Sequence, residues 1–148
     1  MSIVENLKEN LRDKIKKLEI PNKKRIYITV EKEDIESAVD TVFNKMGARY
    51  IIVTGIDNFH NFELLYHFSF DKEGGVITSL RVFLDKEKAE IETLSDLIPG
   101  IAWIEREIWE LLGINFAGHP NLTHLLLRND WPEGIYPLRK EAEENGRK

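Results

Sequence analysis

Glu105, Arg106, Glu107, Glu110 and His119 are the residues whose types and spacing allow proton transfer or tight charge recognition in this chain. A histidine within hydrogen-bond reach of a carboxylate is the minimal pair for general acid–base work. His119 with Glu105 or Glu107 therefore defines one reading, a small hydrolase. On a helix, however, Glu105 and Glu107 stand two residues apart and point in different directions, so they do not form a facing carboxylate pair. Arg106 and Glu110 stand at i,i+4, an ordinary helical charge pair that contributes little when exposed. An arginine can instead grip a carboxylate through two parallel hydrogen bonds at an interface. His60, His67 and His124 lie on a loop, a strand and a late irregular segment, without the spacing of a metal site.

Composition narrows the chemistry further. The chain has 148 residues, enough for one ordinary domain, with 42% hydrophobic and 32% charged residues. It contains no cysteine, which removes disulfides, thiolate zinc, iron–sulfur ligation and cysteine nucleophiles together. A net charge of −5 argues against nucleic-acid binding, which relies on concentrated Lys and Arg. No apolar run approaches the length needed to span a bilayer. The start, Met1-Ser2-Ile3-Val4-Glu5, has no basic flank or signal-peptide core, so residence in the cytoplasm is expected.

The elements that must position these residues follow from periodicity. Val4, Leu7, Leu11, Ile15 and Leu18 recur at helical spacing, predicting a helix over residues 3–18 that Pro21-Asn22 ends. Ile26, Ile28 and Val30 alternate as a strand, and residues 33–46 return to helical spacing with Gly47 just beyond. Residues 50–56 form a β-branched run in which Gly55 suggests a bulge. Phe62, Leu64, Tyr66, Phe68 and Phe70 share one face of the next strand, with His67 on the opposite, exposed face. Residues 71–75 read as a hairpin loop, and residues 76–84 as the returning strand. The class is α+β, two layers, with helices on one face of a mostly antiparallel sheet. A last helix, with Pro99 in its first turn, places Ile101, Ile104, Ile108 and Leu111 on one face and Trp103, Glu107 and Glu110 on another. Trp103 and Trp109 are expected in the core. The division is residues 1–113 as the α+β domain and 114–148 as an extended docking arm, whose end, 141–148, is expected to fray.

At the close of that helix the residue order becomes specific. Glu105-Arg106-Glu107, Glu110, Gly113-Ile114, Phe116, Gly118-His119-Pro120, Leu122 and Pro137-Leu138-Arg139-Lys140 follow at fixed distances. Gly118 supplies backbone freedom, and Pro120 holds His119 out of the helical region. The His119 ring is then expected to hydrogen-bond backbone and lock the turn. This order resembles the signature of the 30 kDa peripheral-arm subunit family of respiratory complex I, the NADH dehydrogenase 30 kDa type. That family includes relatives in membrane-bound energy-converting hydrogenases and sulfane sulfur reductases. The chain departs from its usual pattern at Glu110, where Asp is usual, and at Thr123 and His124, where two arginines are usual.

The resemblance implies a non-catalytic, cofactor-free subunit of an electron-transfer complex. Iron–sulfur clusters, and in some relatives nickel–iron centres, then belong to partner subunits. The implied partners are a large catalytic or quinone-site-type subunit, a small iron–sulfur subunit and, indirectly, a membrane arm, on the cytoplasmic side of the membrane. Glu105, Arg106, Glu107, Glu110, His119, Trp131, Arg139 and Lys140 are the expected subunit-interface residues. Gly113, Gly118 and Pro120 are the expected structural turns. Complex I, a hydrogenase and a sulfur reductase would all use such a protein.

Overall fold

Ser2 accepts a hydrogen bond from the Glu5 backbone while the Glu5 carboxylate accepts one from the Ser2 N–H, so the first helix starts with both its cap donors met. The computed structural model describes residues 2–140; the expected fraying of 141–148 lies outside the described residues. Helix α1 (Ile3–Leu11) buries Leu7 and Leu11 and stops well before Leu18. Arg12 takes a left-handed φ of 49°, and strand β1 (Lys17–Asn22) follows. Ile15 and Leu18 continue the helical spacing, but the turn after Asn22 recruits this stretch to a hairpin. The Asn22 side chain accepts from the Lys24 N–H at 2.8 Å, and Leu18 lies opposite Ile28 of β2 (Arg25–Thr29). Pro21 is tolerated because β1 is an edge strand.

Helix α2 (Ile35–Asp40) is preceded by a 3₁₀ turn and continues as a wider π turn over Thr41–Lys45. The Thr41 hydroxyl donates to the Ser37 carbonyl at 2.8 Å, and Met46 N–H reaches Thr41 O at 2.8 Å. Ile35, Ala38, Val39 and Val42 are buried. Strands β3 (Arg49–Asp57), β4 (Asn61–Phe70) and β5 (Val76–Asp85) complete a five-stranded sheet of order β1-β2-β5-β4-β3. β2 and β5 pair in parallel, and the short β3–β4 and β4–β5 connections require antiparallel pairing. The fold is thus α+β as expected, with a mixed sheet. Phe62, Leu64, Tyr66 and Phe68 on β4, and Leu80, Val82 and Leu84 on β5, are all buried. His67, expected to be exposed, is half-buried in a row of polar groups, 3.0 Å from Thr54 Oγ1 and 2.6 Å from Ser79 Oγ.

The chain divides into two compact units. One comprises the residues up to Thr54 with Leu64–Phe83; the other comprises Gly55–Glu63 with Leu84 onward. The last helix and the segment after residue 113, assigned to different parts by the sequence pattern, fall in this same second unit. It contains β6 (Glu90–Glu92), α3 (Ile101–Leu112) and β7 (Asn115–Ala117). β6 and β7 pair in parallel with Ile91 opposite Phe116, a ladder too short for periodicity to reveal. Ile91, Leu94, Ile98, Ile101, Ile108, Leu112, Ile114 and Phe116 are buried in this unit. Gly55 serves close approach. A Cβ there would stand 3.0 Å from Leu112 Cδ1 and 3.2 Å from Ile108 Cγ2.

Candidate functional site

Residues 101, 105, 108 and 112 recur one turn apart along α3, so Glu105 sits in the same buried stripe as Ile101, Ile108 and Leu112. It is fully buried, and its carboxylate accepts from Thr93 Oγ1 at 2.5 Å and from the Leu94 N–H at 3.0 Å. Where the resemblance implied a contact with another subunit, the structure gives Glu105 partners within its own chain. Burial pushes its carboxyl above the ordinary glutamate value, against the bonds from Thr93 and Leu94 and the nearby His119. Its contribution to stability is therefore largest at low pH and falls as pH rises through the raised value.

His119 sits in the turn that Gly118 (φ 81°) opens. Its Nδ1 accepts from the Asn121 N–H at 2.9 Å. The other nitrogen, Nε2, therefore carries the proton and donates to the Ala102 carbonyl at 3.0 Å. Nδ1 thus holds the turn after β7 together, and Nε2 ties that turn to the first turn of α3. Glu105 Oε1 is 3.8 Å from His119 Nε2, with the two side chains 0% and 1% exposed. A histidine and a carboxylate do come close here, with both side chains buried.

The other expected charges shape the segment after α3. The Glu110 carboxylate, also buried, accepts from the backbone N–H groups of Leu125, Leu126 and Leu127 at 2.5–3.1 Å. The Arg106 guanidinium donates to the Thr123 and His124 carbonyls at 3.1 and 2.9 Å, and also to the Thr123 hydroxyl. Arg106 and Glu110, the i,i+4 pair, thus hold consecutive residues of one loop instead of each other. Glu107 is half-exposed and has no partner among the described residues.

At the end of α3, Gly113 takes φ 78° and returns its N–H to Trp109 O at 2.8 Å. The remaining helix carbonyls are met by the chain coming back. Leu138 N–H donates to Leu111 O at 3.0 Å, and Arg139 Nε donates to Leu112 O at 2.6 Å. Arg139 also stacks on Tyr136, 4.5 Å from the ring centroid, and on Phe62 at 5.2 Å. The Pro-Leu-Arg-Lys motif is therefore a cap on the signature helix. Lys140 continues the clasp through its backbone N–H, 3.1 Å from Asp57 Oδ2.

Asp57 and Lys86 were not expected as site residues. The Lys86 ammonium pairs with Asp57 Oδ1 at 2.7 Å, largely out of solvent, and the Phe59 N–H donates to the same oxygen. Asp57 followed by Asn58 is a turn cue, but nothing in the sequence joins it to Lys86. Burial alone would raise the Asp57 carboxyl; the bonds from Lys86, Lys140 and Phe59 outweigh it and hold the group below the usual aspartate value. A depressed folded value means stability present above the unfolded value near 4 and lost as pH falls through the folded one. Urea unfolding of the wild type should therefore weaken on acidification by on the order of 1 kcal/mol from this group. Asp57→Asn should lack that part of the pH dependence, and an unchanged profile would rule the assignment out.

Trp131 closes a loop by donating from Nε1 to Ile135 O at 2.7 Å. It lines a cavity of about 340 Å³ with Trp109, Glu110, His124, Glu133 and Tyr136. Trp103, expected in the core, is instead 60% exposed, with the Arg106 guanidinium 5.3 Å from its ring. Leu126, Ile135 and Leu138 are also exposed in this unit. Among the described residues no group of three or more His, Asp or Glu is placed to hold a metal ion. No helix among them is long and apolar enough to cross a membrane.

The site thus combines buried carboxylates hydrogen-bonded within the chain with large apolar side chains turned outward. The chain belongs to the family described as respiratory-chain NADH dehydrogenase, 30 kDa subunit, whose model matches residues 28–148. It is 42% identical over 82 residues to the C/D polypeptide of NADH-quinone oxidoreductase from Aeromonas salmonicida, covering 55% of this chain and 13% of that protein. It is 29% identical over 124 residues to formate hydrogenlyase subunit 5 of Escherichia coli, covering 81% of this chain and 22% of that protein. The chain thus spans a small part of the relatives it matches. Its fold is similar to a chain of the membrane-bound sulfane sulfur reductase, an archaeal respiratory membrane complex. There the TM-score is 0.81 at 22% identity, over 94% of this chain and 82% of that one. It is also similar to the trypsin-resistant fragment of Nqo5, with TM-score 0.69 at 22% identity, over 82% of this chain and all of that one.

Proposed function

We propose that this chain is a non-catalytic, cofactor-free structural subunit of a membrane-associated electron-transfer complex. It holds the large catalytic subunit and the small iron–sulfur subunit in register, so that distances between their redox centres stay fixed. The complex is of the complex I, energy-converting hydrogenase or sulfane sulfur reductase kind, attached to the cytoplasmic side of the membrane through its partners. Iron–sulfur clusters, and nickel–iron centres in a hydrogenase, reside in those partners. The observation that supports this reading best is the outward apolar set of the second unit. Trp103, Leu126 and Leu138 are 60%, 64% and 57% exposed, on the same helix and loop whose charged groups are consumed in fixing the backbone. Large exposed apolar and aromatic side chains on an ordered scaffold suit a protein interface.

The expected interface contributions of Glu107, Trp131 and the side chain of Lys140 remain part of this proposal. Those of Glu105, Arg106, Glu110, His119 and Arg139 become indirect, because each shapes the surface that a partner would meet. Trp103→Glu combined with Leu126→Glu changes only exposed positions, so the isolated protein should unfold within a few degrees of the wild type. Affinity purification from the membranes of the source cells should then recover the large subunit at least tenfold less well. Normal recovery with the double variant would defeat the proposal.

A further inference from the structure

The cavity under Trp131 is lined by an unpartnered polar atom, two carboxylates and indole rings. The His124 Nδ1 atom is buried and has no hydrogen-bond partner among the described residues. The Glu110 carboxylate is buried and hydrogen-bonded, yet it makes no ion pair among the described residues, and buried charges are ordinarily paired. The aromatic rings of Trp109 and Trp131 border the same space, and Glu133 stands exposed at it with no partner among the described residues. A water molecule can supply a hydrogen to His124, but it cannot balance the charge or use the ring faces.

We infer that this cavity receives the guanidinium of an arginine side chain from a partner subunit. A guanidinium offers N–H donors for His124, positive charge towards Glu110 and Glu133, and a planar face that stacks on indole. At about 340 Å³ the space lies at the lower end of ligand pockets, fitting one side chain better than a nucleotide or quinone. Lysine is disfavoured, because its ammonium is more strongly hydrated and does not stack. Two arginines of this chain stand near without filling the role. Arg106 is turned to the Thr123 and His124 carbonyls, and Arg139, stacked on Tyr136, is turned to the carbonyls at the end of α3. The net charge of −5 favours a cationic visitor in general.

The inference rests on the subunit role proposed above and deepens it by naming what the partner inserts. It is tested on the isolated chain by tryptophan fluorescence, titrating N-acetyl-arginine amide against N-acetyl-citrulline amide at constant ionic strength. Citrulline keeps the shape and removes the charge. The arginine probe should give a saturable change in the millimolar range, with the citrulline probe at least tenfold weaker. Glu133→Gln, at an exposed position, should weaken arginine binding several-fold, and Trp131→Leu should abolish it. Equal responses to both probes, or none, would overturn the inference, and if Trp131→Leu fails to fold the Glu133→Gln result still decides. A flat titration beside normal copurification of the large subunit sinks this inference alone. Arginine binding without copurification sinks the subunit role instead.

Discussion

Glu110→Ala should cost about 4 kcal/mol of stability, the largest effect expected of any single charged residue in the second unit. Its carboxylate accepts from three successive backbone N–H groups, those of Leu125, Leu126 and Leu127. Three donors in a row occur where the loop backbone curls around one point, and only an acceptor with several lone pairs can serve them all. Alanine leaves the donors facing a void beside α3. Glu110→Gln should fall between, because its amide keeps one acceptor oxygen and turns an NH₂ towards donors. Urea unfolding gives the cost, and amide exchange at residues 125–127 reads the loop directly, with protection there expected to disappear. A loss below about 1 kcal/mol, or unchanged exchange, would mean the loop is held by other contacts.

Gly113→Ala should cost about 3 kcal/mol, combining left-handed strain with crowding. A Cβ at Gly113 would lie 2.6 Å from Tyr136 Cε2 and 2.7 Å from Arg139 Nη2, so the returning segment has to move off the helix end. Gly134→Ala separates the two causes. Gly134 has φ 79°, but a Cβ there meets nothing within 4 Å, so only the conformational part, about 1 kcal/mol, should appear. Limited proteolysis should cut the 130–139 segment readily in Gly113→Ala and hardly faster than wild type in Gly134→Ala. Equal effects from the two substitutions would show that Tyr136 and Arg139 do not bear on Gly113 in solution.

The sheet strands with long alternation, β4 and β5, were readable because several alternate positions in each agree on one face. Gly113 and Gly118, expected at structural turns, adopt the positive φ that glycine favours. The failures have a common cause. Leu18 continues the helical period of the first helix, and only its pairing opposite Ile28 in the hairpin with β2 places it in a strand. β6 and β7 span three residues each, too few for any period. The charges Glu105 and Glu110 look solvated when read as a helix pattern, because what buries them arrives from Thr93 on one side and Leu125–Leu127 on the other. Trp103 shows the reverse error, a large aromatic that periodicity counts as core and that the three-dimensional arrangement leaves outside. Asp57 and Lys86 belong to contacts distant in sequence, which single-sequence patterns do not encode.

The bond between Asp57 and the Lys140 backbone joins positions 83 residues apart. Contacts of such range form late, since they wait on the closure of everything between them. During synthesis the second unit cannot latch until Lys140 itself has left the ribosome. Leu138 and Arg139, which cap the last carbonyls of α3, emerge only just before it. A nascent chain, or one clipped before Pro137, therefore lacks both the cap on α3 and the bond to Asp57.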